Sequence, residues 1–367
     1  MAAPDRPLAL DNPIQHYAWG STRALARLSH RLPGSQPEAE LWMGAHPAAP
    51  STLRWEGEEL GLDAAISRWP EAMLGGPGPL PFLLKVLAVA APLSVQTHPD
   101  TAQAQAGFAR EEAQGLPRTD PRRCYRDPFA KPELIVALGP FRALCGLRPW
   151  PEARQLLAAV GLHFDTPQQA VSALVTPPAD PVLAAARTRS LAAALAAVPR
   201  ALPELLPLVG ELAHHHPGDP GALFPLLLRP LQLEPGQSLF LPAGQLHCYL
   251  EGLAVEIMGN SDNVLRGGLT PKHKDPAQLL AVIDWQGPPP QPEPQAPDGS
   301  WPAATRAFRL RGASSPVRGP AIVLCTGGNL FLGAQRMLSG DAWFVPYAAG
   351  PVPLGGNGAG FIATAGA

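Results

Sequence analysis

One stretch predicts the fold of this chain, Gly236–Gln–Ser–Leu–Phe–Leu–Pro242–Ala–Gly244–Gln–Leu–His247. Gly236 favours a turn, the apolar run after it predicts a short strand, and the segment from Pro242 to Gly244 predicts a second turn. His247 then opens the returning strand at a fixed spacing from both turns. A histidine placed in this way is suited to bind a metal inside a β-barrel. The alternative is a chance Pro/Gly turn beside a histidine.

The same spacing resembles the second signature motif of the cupin superfamily, whose histidine binds metal. The first motif of that superfamily usually carries His-x-His, and Gln96–Thr–His98 takes its place here. Residues two apart on a strand point to one face, so the amide and the imidazole are expected side by side. Taken alone, this segment also fits a strand end with a surface histidine before a proline turn. The resemblance implies a double-sheet jelly roll.

The overall composition excludes several function classes. The chain has 367 residues, of which 46% are hydrophobic and 16% charged, and its formal net charge is -2. This length predicts two or three domains, and the charge balance gives no basic surface for nucleic acid or a membrane. The N-terminus lacks the segments of a signal peptide, and the four cysteines form no CxxC pair. We therefore expect a reduced, cytoplasmic protein without nucleic-acid or membrane partners.

The chain is predicted to be mainly β with a helical insertion. Strand patterns place a catalytic domain at residues 1–150 plus 223–285, and Ala- and Leu-rich segments with helical spacing predict a helical domain at 151–222. Residues 286–305 form a Pro-rich linker, and short β-like runs separated by glycine predict a second, smaller β domain at 306–367. The cupin resemblance makes the first domain a jelly-roll barrel that carries the metal and the last a degenerate cupin.

A weak internal repeat supports a relation between the two β domains. Gly236 to Pro242 and Gly340 to Pro346 share a glycine, five residues and a proline. Each unit predicts a turn, an apolar strand and a second turn. In a proline-rich chain this match leaves a duplicated barrel open. The second unit is followed by no histidine, so we expect its domain to be free of metal.

Two further segments place charged residues in apolar surroundings. Glu133 opens the strand ELIVAL, and a carboxylate that faces a core needs a partner because an unpaired buried charge is very costly. Arg266 and Lys272 lie in a polar, glycine-rich loop, where they suit an anionic oxygen ligand such as phosphate. The alternatives are an exposed strand start for Glu133 and an ordinary charged loop before a helix for the second segment.

Taken together, the segments resemble one family, the type I phosphomannose isomerases. The resemblance runs in chain order from residue 15 to about 280, whereas the last 80 residues match only in general style. The segments that carry it are QHYAWGS (15–21), AELWMGAHP (39–47), LSVQTHPD (93–100), KPEL (131–134), LFLPAGQLH (239–247) and SDNVLRGGLTPKHKD (261–275).

The resemblance implies a reaction and a cofactor. The family interconverts mannose 6-phosphate and fructose 6-phosphate through an enediol(ate), with one zinc ion per chain. Its metal ligands correspond here to Gln96, His98, Glu133 and His247. Two nitrogen and two oxygen ligands suit zinc but leave Mn, Fe, Co and Ni open. We expect a monomer whose partner is a small sugar phosphate.

The resemblance also implies the remaining site residues. The catalytic residues would be Arg266, Glu256 and Lys131, and the substrate-binding residues would be Lys272, Asp262, Ser94, Trp19 and Glu40. Arg266 would stabilise the enediolate or the phosphate. Glu256 is preferred as the group that moves the proton between the sugar carbons, and Lys131 is its rival. The odd spacing of Glu256 from His247 leaves its direction open, because a Glu251–Gly252 turn interrupts the count.

One departure from the family pattern concerns Ala130, which stands where many members carry a histidine. A mechanism that uses that histidine therefore cannot operate in this chain. Two other function classes compete with the isomerase. A metal-dependent cupin oxygenase would favour histidine-rich ligation, which Gln96 and the basic loop argue against. A sugar-phosphate sensor without activity would not need all four ligands.

Overall fold

The protein is mainly β, and its longer helices follow the first half of the larger sheet. The computed structural model describes residues 2–176 and 178–366. The first strands are β1 Leu8–Leu10, β2 Ile14–Gln15, β3 Glu40–Met43, β4 Thr52–Trp55, β5 Glu58–Gly61, β6 Phe82–Val89, β7 Val95–Thr97, β8 Glu133–Ala137 and β9 Phe141–Leu147. The helices among them are α1 Ala24–Leu28, α2 Leu62–Arg68, α3 Pro70–Leu74 and α4 Thr101–Ala113.

The middle of the chain is helical and then returns to strands. Its helices are α5 Trp150–Ala159, α6 Pro167–Val175, α7 Pro181–Ala201 and α8 Leu206–His215, with 3₁₀ turns at Pro203–Leu205 and Pro220–Leu226. The strands and helix that follow are β10 Leu228–Leu233, β11 Ser238–Leu241, β12 His247–Gly259, β13 Leu265–Gly268 and α9 Pro276–Val282. The helices pack on β7, β9 and β13 through a shared apolar cluster.

The C-terminal part is built from short strands. They are β14 Phe308–Gly312, β15 Val317–Arg318, β16 Ala321–Gly327, β17 Asn329–Leu332, β18 Gln335–Leu338, β19 Ala342–Val345, β20 Pro351–Val352, β21 Leu354–Gly356 and β22 Ala359–Ala365. A 3₁₀ turn at Tyr347–Ala349 follows β19. The larger C-terminal sheet has five strands in the order β1, β19, β16, β22 and β14.

Strand β12 organises the ten-stranded sheet of the first part. It pairs antiparallel with β6 and β8 along its second half and with β7 and β9 along its first half. A long strand with neighbours on both sides can bring residues from four other segments to one face. The predicted metal ligands, Glu256 and Arg266 lie on β7, β8, β12 and β13 or directly beside them, whereas Glu40 lies on β3 and Trp19 follows β2.

Side-chain alternation gives this sheet two unlike faces. Val255 and Ile257 of β12 belong to an apolar cluster that the sheet shares with the C-terminal strands. Glu256, between them, therefore points to the opposite, inner face. Lys85 of β6 lies directly across from Glu256, and Glu133 follows the same alternation on β8. The inner face thus collects charged groups, and the outer face packs against the C-terminal sheet.

Two features of the fold differ from the predicted division of the chain. Strand β1 was assigned with residues 1–150, but it pairs with β19 in the C-terminal sheet. Strands were expected from Leu223 onward, whereas Pro220–Leu226 forms a 3₁₀ turn and the strand begins at Leu228. Prolines within this apolar run remove backbone donors, and a short apolar run does not distinguish a strand from a buried turn.

The Pro-rich segment 286–305 is packed against the body of the protein rather than free. The backbone of Glu293 pairs with that of Ser238. The Trp301 indole N–H donates to the carbonyl of Gly236 over 2.9 Å, and its ring stacks on Phe361 at 4.9 Å between centroids. The segment therefore joins the two β parts as ordered chain.

Helix α7 is long and apolar enough, by length and composition, to cross a membrane. One face of α7, with Leu191, Ala194 and Val198, is buried in the helical cluster. Its sequence also carries arginines, which suit a helix packed on a globular surface.

Candidate metal centre and substrate cavity

Four residues predicted from the sequence converge on the inner face of the larger sheet. His98 Nε2 lies 3.2 Å from Glu133 Oε1, and His247 Nε2 lies 3.5 Å from Glu133 Oε2. Gln96 Nε2 lies 3.4 Å from His247 Nε2. A tetrahedral zinc ion with bonds of about 2.1 Å places its ligand atoms about 3.4 Å apart. The ligand atoms of His98, Glu133 and His247 therefore have the spacing that a single ion requires, whereas the Gln96 side-chain oxygen accepts from Ser94.

The two histidines are held in the tautomer that a metal needs. His98 Nδ1 lies 2.7 Å from the carbonyl oxygen of Asn263, and His247 Nδ1 lies 3.0 Å from that of Gln245. Because a carbonyl only accepts, each ring donates from Nδ1 and turns the lone pair of Nε2 toward Glu133. Burial lowers the pKa of His98 and brings the pKa of His247 to about 4. Both rings therefore stay neutral near pH 7.

The Glu133 carboxylate supplies the negative charge of this cluster. Burial raises its pKa, but the ammonium group of Lys131 counters burial and holds the pKa well below its usual range. Lys131 Nζ lies 3.0 Å from Glu133 Oε1. Among the described residues, His98 Nε2 and Glu133 Oε2 have no hydrogen-bond partner although both are buried. Two facing acceptors without a donor fit a cation between them.

A second polar group, next to the first, joins Lys85, Glu40 and Glu256. Lys85 Nζ lies 3.4 Å from Glu40 Oε2 and 3.3 Å from Glu256 Oε2. Trp42 Nε1 donates to Glu40 Oε2 over 2.5 Å. Burial lowers the pKa of Lys85, but the two carboxylates raise it by more than burial lowers it, so the amine stays charged. This cation orients both carboxylates on the inner face.

The direction of Glu256, which the sequence left open, is set by a bulge in β12. The pairing of β12 with β9 shifts by one residue between Tyr249 and Glu251. Because of this extra residue, His247 and Glu256 point to the same face despite their odd spacing. The hydroxyl of Tyr249 donates to Glu256 Oε1 over 3.4 Å. Burial, reinforced by the charge of Glu133, raises the pKa of Glu256 to about 7, which is suited to proton transfer near neutral pH.

Cationic side chains lie beside the candidate metal site. Arg266 lies opposite Gln96 in the pairing of β13 with β7. Lys272 Nζ lies 5.3 Å from the centre of the Tyr17 ring. Burial and the charges of Arg266 and Arg126 lower the pKa of Lys272, and burial lowers that of Arg266. Like charges held together in this way form a site for an anion.

A cavity of about 1160 Å³ opens next to Asp262, and its wall includes neither Arg266 nor Lys272 nor the four predicted metal ligands. Ala130, Asp262 and Arg126 lie in its wall, together with His46. Burial raises the pKa of Asp262, but a hydrogen bond from His46 outweighs burial and lowers it overall. Ala130 leaves space in this wall where the family pattern has an imidazole.

The remaining predicted residues lie at the edge of the cluster. The hydroxyl of Ser94 donates to Gln96 Oε1 over 3.1 Å, so in the structure it orients Gln96. The Trp19 ring stacks on Tyr17 at 5.8 Å between centroids.

Sequence reasoning missed several residues that the structure adds to this region. Lys85 is one of only four lysines and lies in a buried apolar run, a signal that was available. Tyr17 and His46 lie inside segments that carried the family resemblance. Arg126 had no signal, because arginine serves as generic surface charge in this chain.

Comparison with known proteins identifies the relatives of the chain. Residues 8–150 match the family model "Phosphomannose isomerase type I, catalytic domain". The chain is 36% identical to mannose-6-phosphate isomerase of Salmonella typhimurium over 95% of its length and 97% of the relative, and equally similar to that of Escherichia coli. A Salmonella typhimurium mannose 6-phosphate isomerase structure bound to fructose 6-phosphate and zinc has a TM-score of 0.85, 33% identity, and coverage of 99% of this chain and 100% of its own.

Proposed function

Because the chain belongs to the type I phosphomannose isomerase family, we propose that it interconverts mannose 6-phosphate and fructose 6-phosphate. The observation that carries this proposal is the buried cluster around Glu133, with its two unpartnered acceptor atoms, and the position of Arg266 opposite Gln96. The Salmonella typhimurium structure holds fructose 6-phosphate and zinc in a chain of the same fold.

We propose that Gln96, His98, Glu133 and His247 hold one zinc ion. When bound, the ion supplies positive charge that polarises the sugar carbonyl and stabilises the enediolate. Ser94 and the backbone carbonyls of Asn263 and Gln245 orient the ligands. Outer partners of this kind fix ligand geometry as well as charge.

Glu256 is proposed to move the proton between C1 and C2 of the sugar. Its pKa near 7 lets it accept and return a proton. Lys85 holds the Glu256 carboxylate in place. Glu256 lies on the inner face of the sheet, as the proposed zinc ligands do. Lys131 is proposed to assist ring opening, because its amine lies at the ligand Glu133.

Arg266 and Lys272 are proposed to bind the phosphate and stabilise the charge of the enediolate. Burial is the main cause of the lowered pKa of both groups, and the charge of Arg126 lowers both further. Trp19, Glu40 and Asp262 are proposed to contact the sugar.

The finer architecture is also a proposal. We propose a cupin-type jelly roll for the larger sheet and a second, degenerate β domain free of metal. Supporting this, β12 links strands antiparallel on both sides and the residues of the cluster come from its neighbours. The proposed enzyme is monomeric and cytoplasmic.

A coupled assay on mannose 6-phosphate, with and without a chelator, tests the reaction. We expect activity that the chelator removes and zinc restores, under anaerobic conditions as well. Lys272→Ala is expected to raise KM roughly 10- to 100-fold, since a charge-assisted hydrogen bond is lost, while Arg266→Ala mainly lowers kcat.

The matched control is Lys274→Ala in the same loop. The amine of Lys274 lies 3.9 Å from Asp219 Oδ2, so it already has a carboxylate partner within the protein. The KM of this variant is expected to stay unchanged. Comparable kcat/KM values for free mannose and mannose 6-phosphate would contradict the phosphate site, and activity that survives complete metal removal would contradict the zinc centre.

A further inference from the structure

His46 lies in the wall of the cavity, on a segment that follows β3, and its role was not assigned from the sequence. Its side chain is only 3% exposed. The edge of the ring packs against Trp42, with centroids 4.9 Å apart and planes at 74°. A buried imidazole in a fixed orientation can serve as a directed hydrogen-bond donor.

The surroundings of His46 fix the position of its proton. The backbone N–H of Ala48 donates to His46 Nδ1 over 3.2 Å. Nδ1 is therefore an acceptor, and the neutral ring carries its proton on Nε2. His46 Nε2 lies 3.4 Å from Asp262 Oδ1. The one N–H of the neutral ring therefore lies beside this carboxylate.

Asp262 is held from a second side through its backbone. Its N–H donates to Asp127 Oδ2 over 2.8 Å. Its side chain is 39% exposed, so the carboxylate faces the cavity while His46 behind it is buried. Ala130, in the same wall, provides no imidazole of its own. In this wall the imidazole is that of His46 and not that of a residue at position 130.

We propose that His46 is a positioning residue that orients the Asp262 carboxylate toward the sugar phosphate. This inference rests on the proposed function, in which Asp262 contacts the sugar. Without the N–H of His46, the carboxylate would keep its backbone anchor but lose the contact that selects its side-chain conformation. A misplacement of about 1 Å at a reacting centre can lower the rate by about 10²-fold.

The test is a double-mutant cycle in the zinc-loaded enzyme. His46→Ala is expected to lower kcat/KM for mannose 6-phosphate by about 10²-fold, with zinc content unchanged. His46→Gln, which can place an amide N–H near the former Nε2, is expected to recover most of that loss. In an Asp262→Asn background, His46→Ala is expected to add little, because the carboxylate is already absent.

An equal loss from His46→Ala in both backgrounds would overturn the proposal, and so would a failure of His46→Gln to exceed His46→Ala in activity at equal zinc content. If His46→Ala does not fold, the nitrogen NMR measurement on the His46 ring of the wild-type and Asp262→Asn proteins decides.

A second measurement separates this inference from the proposed reaction. Nitrogen NMR of the histidine rings in the zinc-loaded protein should show Nε2 of His46 protonated and Nδ1 unprotonated, with the Nε2–H signal shifted by Asp262→Asn. Protonation on Nδ1 would overturn the positioning role even if isomerase activity is present. If the protein has no isomerase activity, the proposed function fails, while the NMR result still decides the contact.

Discussion

Two segments of this protein share one local pattern and differ in what they do. Gly236 and Gly340 both open a turn with positive φ, +86° and +93°, which glycine adopts without strain. Each is followed by a four-residue strand, β11 or β19, and then by a proline. After Pro242 the chain turns back into β12 and buries His247. After Pro346 it forms a 3₁₀ turn, and Tyr347 is 57% exposed.

The strands beside these units differ as well. Strand β11 pairs with β8, where Leu241 lies opposite Glu133. Strand β19 pairs with β16, where Phe344 lies opposite Ile322 in an apolar layer. Within the described residues, the group of His, Cys, Asp and Glu side chains that can hold a metal is His98, Glu133 and His247. The turn–strand–turn pattern therefore specifies local structure, while the chemistry depends on the residue after the second turn and on the partner strand.

The largest expected difference between the two units is in metal binding. His247→Ala should lose stoichiometric zinc and lower kcat/KM by about 10³-fold or more, since the loss of a metal's charge stabilisation removes several kcal/mol. Tyr347→Ala, directly after the proline of the second unit, should leave both unchanged because its side chain lies at the surface. Metal analysis and the isomerase assay measure both. A full equivalent of zinc in His247→Ala would contradict the assignment of His247 as a metal ligand.

The next largest effect is expected from Glu256 on β12, the strand that follows Pro242. Glu256→Gln should keep zinc but lower kcat by about 10²- to 10⁴-fold, the usual contribution of general acid–base catalysis. Exchange of the substrate C2 proton with deuterated solvent should be nearly lost. Lys131→Met is the comparison variant and should retain more exchange than Glu256→Gln, because Lys131 is proposed to assist ring opening rather than proton transfer. The roles are reversed if Lys131→Met abolishes exchange with zinc still bound while Glu256→Gln retains it.

The smallest expected effect on activity comes from the core of the second β part. Leu332→Ala should lower the free energy of unfolding by about 2–5 kcal/mol, as buried leucine truncations do, because Leu332 is fully buried in a cluster of C-terminal residues. Its kcat per zinc-loaded molecule should equal that of wild type.

Leu239→Ala on β11 is the matched variant, also fully buried but in the cluster that supports the inner face. It should lose comparable stability and some kcat as well. Chemical denaturation and assays on zinc-loaded protein measure both quantities. Equal kcat losses in the two variants would show that the C-terminal part supports the site as directly as β11 does.

The sequence by itself determined the local elements and the kinds of ligand. Helix α4 begins at a capping box formed by Asp100 and Gln103, a signal confined to a few neighbouring residues. The turn before His247 and the order of the family segments were readable for the same reason. The family itself was correctly identified from these segments, as the relatives show.

Only the tertiary structure decided which distant residues meet. The direction of Glu256 depends on a one-residue bulge that arises from pairing with β9, and alternation counted along the sequence cannot show such a shift. The contacts of Lys85 with Glu40 and of His46 with Asp262 join segments far apart in the chain. Likewise, β1 joined the C-terminal sheet because its edge could pair with β19. Local propensity acts over a few residues, whereas register and burial are set by the whole packed sheet.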